Sequence, residues 1–138
     1  MLGAAFPLLL VALVPQDSPA PVPPAITTID WATLPDLPYR QSPQMTAPMH
    51  SWVQGQVRAR KCRARRLVDG RPAVRVEVAV LVSPEDGVRT SVPRAIGCPT
   101  VEQYAAGLVS SFARNNLNAR SGGAEQWYRA TVTFVWAK

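Results

Sequence analysis

The chain has 138 residues and a net charge of +6, with one histidine and two cysteines. That length bounds it to one domain, and so few metal-binding side chains cannot form a closed zinc site. Ten of its 14 prolines fall in residues 1–48, which leaves roughly 90 residues for one small two-layer core.

Residues 2–14, LGAAFPLLLVALV, form an uncharged apolar run. As a helix it would span ~20 Å, short of the ~30 Å hydrocarbon core of a bilayer. It therefore reads as the apolar part of a secretory leader over residues 1–20, and no transmembrane helix is expected. The expected location is periplasmic or secreted. Residues 21–51 read as a proline-rich linker, extended for want of uninterrupted helix or strand pattern. Trp31, Leu34 and Leu37 are its residues able to fold back on a domain at 52–138.

From Trp52 the pattern shifts towards strands. In WVQGQVRARKCRARRL, Val57 and Ala59 share one face at period two, and Cys62 and Ala64 share the other. One extra residue near Arg60–Lys61 would align all four, so the spacing predicts a bulged strand. VDGR (68–71) makes a turn. AVRVEVAVLV (73–82) sets Val74, Val76, Val78, Val80 and Val82 on one side, as in a half-buried strand. SPEDG turns the chain, with Gly87 suited to positive φ, and VRTSV (88–92) returns.

GCPTVEQYAAGLVSSFARNNL follows. Thr100 and Gln103 fit a capping box, and Val101, Tyr104, Ala105, Leu108, Val109 and Phe112 form an apolar stripe at helical spacing. Asn115–Asn116 and SGG (121–123) end the helix. QWYRATVTFVW then alternates Tyr128, Ala130, Val132, Phe134 and Trp136 against Arg129, Thr131, Thr133 and Val135. The expected fold is α+β: a small antiparallel sheet of three to four strands with one amphipathic helix on one face. The other face would be left wet.

Catalytic chemistry finds no constellation here. His50 stands beside the linker, Glu85–Asp86 sit in a turn, Glu102 enters a helix and Glu125 follows glycines. No nucleophile has a base beside it and no two carboxylates share an apolar segment, so the chain reads as non-catalytic. No cofactor, metal or small-molecule substrate is expected.

The cations are concentrated. Between Arg58 and Arg75 eight Lys and Arg face one acid, Asp69. Arg58, Arg60, Lys61, Arg63, Arg65 and Arg66 make either a solvated strand face that discourages aggregation or a patch for anionic envelope polymers. RARKCRARR contains no aromatic, so stacking of single-stranded nucleic acid has no platform. A contact to a nucleic-acid backbone needs charge alone, but export argues against that partner.

Cys62 and Cys98 make an even count, which in an exported chain points to one disulfide. In a reducing compartment the same residues would be buried thiols.

VRVEVAVLVSPEDGVRTSVPRAIGCPTVEQYAAGLVSSFARNN followed by WYRATVTFVW resembles the C-terminal domain of TonB-family energy transducers. The shared pattern covers residues 74–136: a valine-rich alternating strand, an acidic-glycine turn, a return strand, an amphipathic helix and an alternating strand ending in an aromatic. A proline-rich spacer behind an apolar N-terminal segment is similar too. That segment is shorter than the membrane helix through which a transducer meets its motor. The resemblance therefore implies partner binding without motor coupling. It further implies strand addition, in which an envelope protein, such as a segment of an outer-membrane receptor, pairs with an exposed sheet edge. Arg129, Thr131, Thr133 and Val135 of the final strand are the residues it assigns to that pairing. The sequence stops two residues after Trp136, so no later element is expected over that edge.

Overall fold

The computed structural model describes residues 28–118 and 124–138, with Gly3 and Ala12. Almost all of the leader, residues 21–27 of the linker and the SGG expected to end the helix lie outside the described residues. Six elements follow in order: α1 (Ala47–Arg58), β1 (Arg65–Arg66), β2 (Pro72–Ser83), β3 (Gly87–Pro93), α2 (Pro99–Ala113) and β4 (Gln126–Val135).

The strands form one four-stranded antiparallel sheet with β2 inside it. β4 pairs along one side of β2, from Ala73 opposite Val135 to Val82 opposite Gln126. β1 and β3 share the other side, with β1 limited to Arg65 and Arg66 opposite Ala73 and Pro72. The valine alternation sets the register. Val74, Val76, Val78 and Val80 lie opposite Phe134, Val132, Ala130 and Tyr128, and all eight side chains are buried. A one-residue slip would turn this whole set outward, so the pairing is strongly specified. Gly87 takes φ 74° in the β2–β3 turn, as the sequence predicts. A bulge falls between Leu81 and Val82.

Two helices cover the valine face, where one was expected. The segment predicted as a bulged strand from Val57 onward is helix α1 up to Arg58, then an irregular turn, and strand only at Arg65–Arg66. The helix wins because Met49, Val53 and Val57 recur at i, i+4 and Pro48 sits in the first turn, where its missing N–H costs nothing. Val53 is fully buried.

On α2 the stripe is rotated slightly from the one expected. Val101, Ala105, Ala106, Val109 and Ala113 are buried, whereas Leu108 and Phe112 sit at the margin of the core. The capping differs as well. Cys98 is the N-cap, and the Thr100 hydroxyl donates to Gln56 of α1 at 3.2 Å. Glu102 reaches back instead, accepting the backbone N–H groups of Cys98 at 2.9 Å and Ile96 at 3.1 Å. A carboxylate satisfying two otherwise unpaired donors explains why so buried an acid is tolerated.

Residues 28–46, read from sequence as linker, lie against this frame. Leu37 is buried in the core. Trp31 stands over Arg94, 5.5 Å from guanidinium carbon to ring centre, and Arg94 pairs with Glu77 at 2.7 Å. The face away from the helices is therefore partly roofed, and Ala79 at its middle is fully buried.

Candidate functional site at the outer edge of the last strand

β4 has β2 on one side, so its other side is an edge of the sheet. The hydrogen bonds of Arg129 show which residues face outward. Its N–H donates to the carbonyl of Pro35 at 2.8 Å, and its carbonyl accepts from Leu37 N–H at 2.8 Å. Both main-chain groups of Arg129 thus point away from β2. The pairing continues without a shift to Val135, so Thr131, Thr133 and Val135 point outward as well. These are the four residues assigned to partner pairing.

The structure divides them. Arg129 is occupied by Pro35–Leu37, an extended piece of the chain lying parallel to β4. Val135 donates its N–H to Nδ1 of His50 at 3.0 Å. Thr131 and Thr133, between these two closures, have no main-chain partner on the outer side among the described residues, and the Thr131 side chain is exposed. Two earlier parts of the chain, Pro35–Leu37 and His50 of α1, cover its two ends.

The segment that closes the Arg129 end is anchored beyond it. Tyr39 bridges Leu117, Arg40 N–H donates to Asn116 at 2.7 Å, and Asn118 N–H donates to Pro38 at 2.9 Å. The Asn116 side chain also bonds both main-chain groups of Gln41. Burial pushes the Tyr39 hydroxyl up to about 12. By contrast, the side-chain contacts of Arg129 are long. Its guanidinium meets the Trp31 carbonyl at 3.4 Å and Asp36 at 3.3 Å, and its buried Nε has no partner among the described residues. An unsatisfied buried donor costs about 1–3 kcal/mol. The segment is firm at residues 35–41, and only its contacts with the Arg129 guanidinium are weak.

The sequence pattern did not reveal either closure. Leu34-Pro35-Asp36-Leu37-Pro38 carries the only available signal, two leucines in a stretch that proline keeps extended. His50 gave none, because its role depends on where α1 docks.

The other candidate residues fall elsewhere. Cys62 and Cys98 form a disulfide, with Cα atoms 5.2 Å apart, joining the turn after α1 to the N-terminus of α2. Arg58 closes α1, Arg60, Lys61 and Arg63 lie in the turn, and only Arg65 and Arg66 are strand, so the predicted Arg-rich strand is mostly not one. All six are exposed. Asp69 is held below its usual range by hydrogen bonds from the Arg71 backbone and then its guanidinium.

Among the described residues no helix is long and apolar enough to cross a membrane, and no cluster of three His, Cys, Asp or Glu could hold a metal. No protein-family model matches the chain, and no similar curated protein or solved structure was found.

Proposed function

We propose that this domain binds an extended segment of a partner protein by strand addition at the outer edge of β4, without catalysis. The observation that carries this reading is the pair Thr131 and Thr133. Their outward N–H and C=O groups are unpartnered among the described residues, between two closures, and one closure is itself an extended peptide on the same edge. Such an edge offers main-chain hydrogen bonds to any strand that fits, with side-chain pockets adding selectivity.

Magnitudes shape the mechanism. Two outward residues offer four hydrogen bonds, each contributing about 0.5–1.5 kcal/mol net. That alone gives a weak complex, so the partner's side chains must supply the rest, whether its strand stays at Thr131 and Thr133 or continues to Arg129 in place of Pro35–Leu37. That exchange swaps two 2.8 Å main-chain hydrogen bonds for two others and uncovers Leu37, a cost offset only in part by the long guanidinium contacts of Arg129 that are given up. The resemblance to TonB C-terminal domains assigns partner pairing to the same strand. The disulfide fits an oxidising compartment such as the periplasm or the cell exterior. An envelope protein is the partner class this implies.

The test is a pull-down from envelope extract, with the captured protein identified by mass spectrometry, repeated with Thr131→Pro and Thr133→Pro. Each proline removes one outward donor and leaves the β2–β4 ladder intact, so the variants fold, as circular dichroism checks. Loss of the partner with both variants, and its retention with Thr131→Ala, supports strand addition. Normal capture by both folded proline variants refutes it.

A further inference from the structure

Five arginines of the described residues meet acids: Arg71 meets Asp69, Arg75 and Arg94 meet Glu77, Arg89 meets Glu125, and Arg129 meets Asp36. Arg58, Arg60, Lys61, Arg63, Arg65 and Arg66 meet none among the described residues, and all are exposed. They follow one another between the end of α1 and β1, where few acids are near to offset them. The run is held in shape. Arg60 N–H donates to Val57 and Lys61 N–H to Gln56, both at 3.0 Å, with Arg60 at φ 59°. This is the closure in which a helix favours glycine, yet it carries a cation here. The disulfide then fastens Cys62 to α2.

The run leads into a hairpin whose tip is apolar. Leu67 N–H donates to Arg71 at 2.9 Å and Gly70 N–H to Leu67 at 2.8 Å, which closes the turn between β1 and β2. Val68 at that tip is 110% exposed and Leu67 37%. The one acid of the turn, Asp69, is tied to Arg71 at 2.7 Å and does not offset the neighbouring cations. The Arg66 guanidinium donates to the Gly70 carbonyl at 3.1 Å, and the Lys138 side chain lies against Gly70.

We propose that the Leu67–Val68 hairpin and the basic run beside it dock on an anionic lipid bilayer. Cations meet the phosphate head groups while the apolar tip enters the boundary with the acyl chains. A soluble anionic polymer would use the charge and gain nothing from Val68, so the juxtaposition of tip and charge favours the bilayer. β1 and β4 lie on opposite sides of β2, so docking here leaves the β4 edge open. This inference does not rest on strand addition.

Flotation of the full chain with vesicles tests it, comparing pure phosphatidylcholine with phosphatidylcholine containing about 30% phosphatidylglycerol. The neutral vesicles report whatever the uncharged run at residues 2–14 contributes. The expected result is binding to anionic vesicles well above that to neutral ones. A basic residue at an anionic surface is worth about fivefold in partition, so Arg63→Glu/Arg65→Glu/Arg66→Glu should lose at least ~100-fold. Leu67→Ser/Val68→Ser keeps the charge and alters only exposed side chains, and should lose ~10-fold. Equal binding to neutral and anionic vesicles, or none to either, overturns the proposal. So does undiminished anionic binding by Leu67→Ser/Val68→Ser, which would assign the cations to a soluble polyanion.

Discussion

Val135 donates its main-chain N–H to Nδ1 of His50, 3.0 Å away, so a side chain from α1 ends the free edge of β4. The acceptor role places the imidazole proton on Nε2, and the ring meets Phe134 edge-on with centroids 6.5 Å apart. His50→Ala should cost about 1 kcal/mol, the worth of one partly exposed hydrogen bond, as urea denaturation would report. It should not weaken partner capture, because it lengthens the open edge by one donor. Loss of capture with the fold intact would make His50 part of the binding surface.

The core includes a run of aromatic rings reaching from β4 to the helices. Phe134 is fully buried beside the valine row and stacks with Tyr104, whose ring centre is 5.8 Å away, and Trp52 meets Tyr104 in turn at a tilt, with ring centres 4.4 Å apart. Phe134→Ala should cost ~3–5 kcal/mol. Leu108, at the margin of the α2 stripe, should cost only ~1 kcal/mol when cut to alanine, well below the value for a buried leucine. Denaturation midpoints of the two variants, compared in one denaturant, would decide whether the rotated helix face is right.

The disulfide closes a separation of 36 residues, which the loop-entropy account values at roughly 3–4 kcal/mol. Cys62→Ser/Cys98→Ser should therefore lower the melting temperature by more than 10 °C, taking about 4–8 °C per kcal/mol for a domain of this size. Calorimetry reads the change directly. A shift of only a few degrees would show that α1 and α2 hold each other without the bridge.

Alkaline pH should loosen the segment at residues 38–41. Tyr39 titrates near 10.0 when unfolded and is pushed up to about 12 by burial in the fold. The folded state therefore keeps a proton that the unfolded state has lost. That contribution to stability is whole below pH 10 and declines as pH rises towards 12. Thermal melts across this window should fall more steeply for the wild type than for Tyr39→Phe. Parallel curves would place the ionisation elsewhere.

What could be read in the sequence follows from how local each cause is. The alternation of β2 and β4 sets one row of valines and aromatics towards the helices, so side-chain period alone marked both strands and their core face, and an α+β sheet of three to four strands followed. The SPEDG turn needed only Gly87 and its neighbours. The basic segment misled for the opposite reason. At Val57, Ala59, Cys62 and Ala64 a period of two competes with the i, i+4 set of Met49, Val53 and Val57, and the helix prevails through burial of Val53 against the sheet. Tertiary contact decided it. The closures of the β4 edge were beyond reach because Pro35 and His50 act through main-chain and ring atoms placed by distant packing. Their residue types carry no sign of it.

The central claim concerns the outer side of β4, and amide hydrogen exchange reads it most directly. In the free protein, Thr131 and Thr133 should exchange fast, because nothing among the described residues accepts their N–H groups. Val132 and Phe134 face β2 and should exchange slowly, and Arg129 and Val135 should be slowed by Pro35 and His50. When the captured partner is added at saturation, Thr131 and Thr133 should become as slow as Val132. If they remain fast in the saturated complex, or are already slow in the free monomer, the partner does not pair with this strand and the account is wrong.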